Sequence, residues 1–202
     1  MQNLVSNLLQ QAREFSPLEI VAVVMALMYL LLAIRQNIWC WFGAGISTVI
    51  YVYLFFDAKL YMQSVLNAFY FAMAIYGWTV WRRGRIDDEE LPVVRWPIAT
   101  HGYAIVAIVA AGAINGYLLS MQTNAEHAYV DAVIAWAAIW ATFLVARKVL
   151  ENWWYWLVID IASIVIYWSR DLQLTSVLFT VYVVLIPFGL ISWTRSWREA
   201  QA

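Results

Sequence analysis

"RKVLENWWYWLVIDIASIVIY", residues 147–167, decides the fold. A basic pair leads into three tryptophans and a tyrosine, then into an apolar run broken by Asp160. Basic and aromatic residues ahead of an apolar run mark the entry of a helix into a bilayer. At 1.5 Å per residue, Asp160 lies roughly 12 Å beyond Asn152, near the middle of a hydrocarbon core about 30 Å thick. A carboxylate at that depth opposes insertion by about 2.5 kcal/mol or more, which marks a functional site by default. The other role open to it is to fix one helix against another through a hydrogen bond.

The rest of the chain reads the same way. Its 202 residues are 64% hydrophobic and only 12% charged, with a mean hydropathy of +0.69. Soluble domains carry about a quarter charged residues, so an all-α integral membrane protein is expected. A net charge of −1 offers no field for nucleic acid. Cys40 is alone, and His101 and His127 flank a hydrophobic segment rather than sharing a face, so neither a disulfide, a metal nor a cofactor is expected. The first seventeen residues lack the basic start and apolar core of a signal peptide. Leu4, Leu8 and Leu9 there fit a short amphipathic surface helix or a polar lead-in equally well.

A span needs about 20 residues. Hydropathy gives seven candidates, at 18–34, 38–56, 60–81, 101–120, 129–146, 152–169 and 174–193. With seven spans, one side holds three basic residues, Arg13, Lys59 and Arg170, and the other holds the remaining nine. That split puts the N-terminus outside and the C-terminus in the cytoplasm.

The two halves echo each other. "NIWCW" at 37–41 matches "NWWYW" at 152–156, "STVIY" at 47–51 matches "SIVIY" at 163–167, and "YGWTVW" at 76–81 matches "FGLISW" at 188–193. Residues 1–17 then form an extracytoplasmic segment, 18–81 a first three-helix repeat, 82–128 a cytoplasmic loop and connector helix, and 129–202 a second repeat with a cytoplasmic tail. Three spans plus a connector leave both copies in the same orientation, a 3+1+3 parallel repeat of the kind found in transporters.

Candidate chemistry gathers on two helices. Trp153, Trp156, Asp160, Ser163 and Tyr167 recur at helical spacing on one face. Indole rings over a desolvated cation contribute about 2 kcal/mol, so the face suits a flat, positively charged organic ligand. An interfacial belt accounts for Trp154, Tyr155, Trp78, Trp81, Trp193 and Trp197; for Trp153 and Trp156 spacing leaves belt and site both open. On the third span Gln63, Asn67 and Tyr70 form a second polar stripe, which also suits helix–helix adhesion. "GAGIS" at 43–47 permits close packing or room for a ligand, and Pro187 permits a flexing last helix.

The stretch 147–167, with "QNIW…ISTVIYVYLFFDAKLY" and "NAFYFAMAIYGWTVW", resembles the PnuC family of bacterial vitamin transporters from about residue 18 to 197. The most specific element is Trp153-x-x-Trp156 preceded by Glu151-Asn152, together with Tyr76-Gly77-Trp78. The resemblance implies a fold similar to SWEET sugar transporters, residence in the bacterial inner membrane, homotrimers, and facilitated diffusion of a vitamin that a cytoplasmic kinase then retains. Substrates across the family are nicotinamide riboside, thiamine (the PnuT branch) and riboflavin. Carried over, Trp153 and Trp156 would stack the substrate ring with Asn152 nearby, and Asn67 would meet its polar groups. This chain departs from the nicotinamide riboside carriers at Asn67 and Asp160, where they have Gln and Asn. Those departures favour thiamine, while the family's name favours nicotinamide riboside, which is the leading expectation with thiamine as the alternative.

Other classes fit less well. No G-x-S-x-G occurs, and the only lysines, Lys59 and Lys148, fall outside the spans, which argues against an intramembrane hydrolase and a retinal protein. A proton-coupled carrier using Asp160, and a substrate-capture subunit docking through Ala22-x-x-x-Ala26, remain as alternatives.

Overall fold

The computed structural model describes residues 16–59, 61–84, 91–122, 128–170 and 172–201. The N-terminal segment up to residue 15, the acidic run Asp87–Glu90 and His127 lie outside them. Seven helices follow in order: α1 (Pro17–Ile34), α2 (Cys40–Asp57), α3 (Tyr61–Arg83), α4 (Ile98–Gln122), α5 (Ala128–Ala146), α6 (Asn152–Ser169) and α7 (Gln173–Glu199). The shortest have 18 residues, about 27 Å at 1.5 Å per residue. Five are long and apolar enough to cross a membrane; α3 and α6 are not among them. Those two carry the amides, Asp160 and a high share of tryptophan and tyrosine, which lower their hydropathy.

Local sequence explains the ends. Ser16 caps α1 in a reciprocal box, its hydroxyl accepting from the Glu19 amide at 3.2 Å while its own amide donates to Glu19 Oε2 at 2.7 Å. Pro17 follows at the first helical position, where its missing N–H leaves nothing unpaired. At the other end Gln36, with φ 55°, donates to Ala33 O, and Asn37 to Leu32 O. This is a Schellman closure with glutamine in the place usually taken by glycine. α5 ends identically, with Lys148 at φ 49° and bonds from Lys148 to Val145 O and Val149 to Leu144 O. Pro187 does not interrupt α7.

Helix packing closes a ring. α1 packs on α2, α2 on α3, α3 on α5, α5 on α6, α6 on α7 and α7 back on α1, while α4 packs along the outside of α5. Thus the third helix of each three-helix unit meets the first helix of the other. The equivalences between units run at a constant separation of 112 positions. Trp41, Gly77 and Trp81 correspond to Trp153, Gly189 and Trp193. A Cβ on Gly77 would fall 2.3 Å from the Trp41 ring, and one on Gly189 2.4 Å from the Trp153 ring. Trp41 meets Trp81 edge-on at 5.6 Å, as Trp153 meets Trp193. Ser64 bonds Val52 O at 2.9 Å, as Ser176 bonds Ile164 O at 3.0 Å.

That separation corrects two of the sequence matches. Pairing 37–41 with 152–156, and 47–51 with 163–167, displaces α2 against α6 by about one turn; only 76–81 with 188–193 is in register. One turn returns a helix to nearly the same face, so the residue pattern survives the slip. A second correction concerns the aromatic belt. Trp81 and Trp193 are 3% and 0% exposed, and donate their indole N–H to Ala146 O and Ala33 O at 3.1 and 2.9 Å. They are core residues: an indole whose single donor is satisfied by a helix-end carbonyl can be buried whole. Trp154 is 56% exposed, as a lipid-facing anchor should be.

Candidate substrate cavity

A cavity of about 670 Å³ runs between the two units and touches all seven helices. Space of this size suits a ligand of drug or vitamin dimensions. α6 presents Asn152, Trp153, Trp156, Asp160, Ser163 and Tyr167 to it, the face expected from their spacing. From across the ring α3 contributes Gln63, Asn67 and Tyr70. All nine of these residues, singled out from the sequence, therefore meet in one space, though in different conditions.

At one end Asn152 is fully buried, its side-chain amide donating to Val149 O at 2.7 Å while Oδ1 has no partner among the described residues. Trp153 beside it is 2% exposed and wedged against Gly189 and Trp193. It touches the cavity but serves the packing first. Trp156, one turn further, is only half-buried. Like Tyr70, it packs against the buried cluster of Ala138, Ala141 and Ile159. Midway along α6, Asp160 and Ser163 are 3% and 4% exposed. Among the described residues no donor or cation lies within bonding distance of the Asp160 carboxylate. A carboxylate at mid-depth without a partner from the protein is costly, and a cationic ligand would relieve it.

Asn67, which lines the cavity, donates its side-chain amide to Gln63 O of its own helix at 2.9 Å. The far end carries an ion pair, Arg170 to Asp131 at 2.7 Å, with both residues on the cavity rim. Tyr155 is not a free interfacial anchor, because its hydroxyl lies 3.1 Å from His101 Nδ1 on α4.

Sequence reasoning missed the contribution of α1 and most of that of α2 in the first unit. Tyr29 of α1 and Trp41, Thr48 and Tyr51 of α2 line the opposite wall. The repeat carried the signal: at a separation of 112, Trp41 answers Trp153 and Thr48 answers Asp160.

A ring of apolar helices around a partly polar cavity, with a lone carboxylate at mid-depth, defines a multi-pass membrane transporter. The chain belongs to the nicotinamide mononucleotide transporter family, whose pattern it matches over residues 16–195, in agreement with the PnuC resemblance. It is similar to the nicotinamide riboside transporter PnuC of Escherichia coli, at 26% identity over 92% of this chain and 88% of the relative. Similarity to the riboflavin/roseoflavin transporter RibM of Streptomyces davaonensis is 25% identity over 91% and 87%. The crystal structure of the vitamin B3 transporter PnuC superposes with a TM-score of 0.72 at 22% identity, covering 97% of this chain and 90% of that one. The fold is therefore that of a helical membrane transporter, and the protein is not an enzyme.

Proposed function

We propose that the chain is a facilitated-diffusion uniporter for nicotinamide riboside, supplying a precursor for NAD synthesis. The observation that carries this reading is Asp160, a buried and unpartnered carboxylate in an aromatic-walled cavity. Nicotinamide riboside is a flat pyridinium with a fixed positive charge. Trp156 supplies a face for its ring, Asp160 balances its charge, and Asn67, Asn152 and Ser163 meet the carboxamide and ribose. Trp153 holds the floor on which Trp156 stands. The relatives named for this vitamin support the reading. Rocking of the two three-helix units about the cavity would expose it to either side in turn. The basic-residue split orients the chain with its N-terminus outside, in an inner membrane. Assembly as a homotrimer, and retention of substrate by a cytoplasmic kinase, belong to the same proposal.

Thiamine is the second reading, favoured by Asp160 and Asn67. It too is a flat permanent cation, and the same carboxylate suits it. Riboflavin, carried by the relative RibM as its name states, is neutral and makes no use of the charge. Uptake of each vitamin into liposomes holding the purified protein decides among them. Nicotinamide riboside is expected to enter fastest, without a pH gradient. Asp160→Ala and Trp156→Ala are expected to abolish most of that flux. Entry of neither cation, or normal transport by both variants, would contradict the mechanism; flux driven by a pH gradient would replace the uniporter with a proton-coupled carrier.

A further inference from the structure

The end of the bundle nearest Asn152 is closed by side chains that the substrate cavity does not use. The indole of Trp193, on α7, bonds Ala33 O at the end of α1, and that of Trp81, on α3, bonds Ala146 O at the end of α5. Each bond joins the third helix of one unit to the first helix of the other. Between them the two rings meet at 6.5 Å. Centrally, the two left-handed residues that terminate α1 and α5 bond each other, Lys148 Nζ to Gln36 Oε1 at 3.2 Å. Lys148 is 1% exposed, with its ammonium 4.6 Å above the Trp81 ring. Gln36 Nε2 donates to Ser196 Oγ of α7 at 2.8 Å. Glycine would fit both left-handed positions with less strain. Glutamine and lysine stand there instead, and their side chains cross the boundary between units.

We infer that these residues form the inner gate: two crossed indole–carbonyl latches around a central Lys148–Gln36 bond. Passage to the side that the basic residues assign to the cytoplasm requires the units to part here. Parting breaks every one of these bonds, because each runs between units rather than within one. The turn carrying Lys148 is itself pinned, since Val94 of the α3–α4 connection donates to Lys148 O at 3.0 Å and accepts from Leu150 N at 2.9 Å. Gate opening then separates Gln36, Ala33 and the start of α2 from a fixed Lys148 turn. The inference stands apart from the choice of vitamin, because gate opening can be read without substrate.

The chain supplies its own reporter. Cys40, its single cysteine, is wholly buried beside Trp41 and Trp81 in the cluster behind the gate. Its modification by a membrane-impermeant maleimide, added to the cytoplasmic face of inside-out proteoliposomes, measures opening. Trp81→Phe with Trp193→Phe keeps a smaller aromatic ring at each position and removes both latches. It is expected to speed labelling from that face by about tenfold, the effect of two lost buried hydrogen bonds. Gln36→Glu places a carboxylate against the Lys148 ammonium, and is expected to slow both labelling and uptake by roughly threefold to tenfold. General loosening of the bundle would speed labelling in both variants, so opposite signs identify a gate. Gln36→Glu alone also tests the idea if the double variant fails to fold. Labelling at the wild-type rate in a folded double variant, or faster labelling in Gln36→Glu, would overturn the gate.

Discussion

α2 and α6 hold equivalent places in the two units, yet only part of their chemistry is shared. Trp41 and Trp153 both wedge into a glycine on the following helix and meet a tryptophan edge-on. Below them the pattern diverges. Asn152, Trp156, Asp160 and Ser163 on α6 stand where α2 has Cys40, Ala44, Thr48 and Tyr51. The polar group on α2 is self-sufficient, with the Thr48 hydroxyl bonded to Ala44 O and Gly45 O of its own helix at 2.8 and 3.1 Å. Asp160 has no such outlet. What both units retain builds the fold, and on these two helices what only α6 carries is the chemistry proposed to meet the cargo. Trp153 is packed like its counterpart Trp41 while Trp156 has no aromatic counterpart, a distinction invisible in the W-x-x-W spacing.

That division can be broken by substitutions made in matched pairs. The largest expected effect is at mid-helix: Asp160→Asn weakens binding of a cationic vitamin by about 1.5–3 kcal/mol, while Thr48→Val changes it little. Equilibrium titration of the purified protein checks both. Next comes Trp156→Ala, which removes a cation–aromatic contact of about 2 kcal/mol; its counterpart Ala44 offers no ring to lose. Trp153→Phe is expected to lower thermal stability more than affinity. Gly77→Ala and Gly189→Ala are expected to destabilise the bundle alike, by about 1.5 kcal/mol each, because both force a methyl into an indole ring. Unequal melting temperatures for that pair would show that the units are not equivalent. Smallest is the loss of one interhelical bond: Ser64→Ala and Ser176→Ala should each shift stability by about 0.6 kcal/mol.

Much of this was legible in the sequence, for identifiable reasons. The seven helices were legible as apolar segments, although the polar and aromatic residues of α3 and α6 leave only the other five apolar enough to cross a membrane by hydropathy alone. The α6 face was legible because a helix fixes which residues share a side, and Trp156, Asp160, Ser163 and Tyr167 do line the cavity. Register between units was not, because a slip of one turn preserves the face and alters only which residues are opposed. From that slip came the missed wall of Tyr29, Trp41 and Thr48. Trp81 and Trp193 looked like belt residues for a related reason: sequence shows an indole near a helix end, but not the carbonyl of another helix that allows it to be buried. Equally hidden was the Gln36–Lys148 bond, which joins two residues 112 positions apart in unremarkable turns.

The central claim is that a charge on the second unit selects a charge on the cargo. Nicotinamide riboside and its dihydro form have almost the same size and shape, but reduction removes the positive charge from the ring. Calorimetric titration of both into wild type and Asp160→Asn isolates the interaction. The expected result is that wild type prefers the cation by roughly tenfold to a hundredfold, and that this preference disappears in Asp160→Asn while affinity for the neutral form is kept. Equal preference for the two forms in wild type, or a preference that survives the substitution, would contradict it.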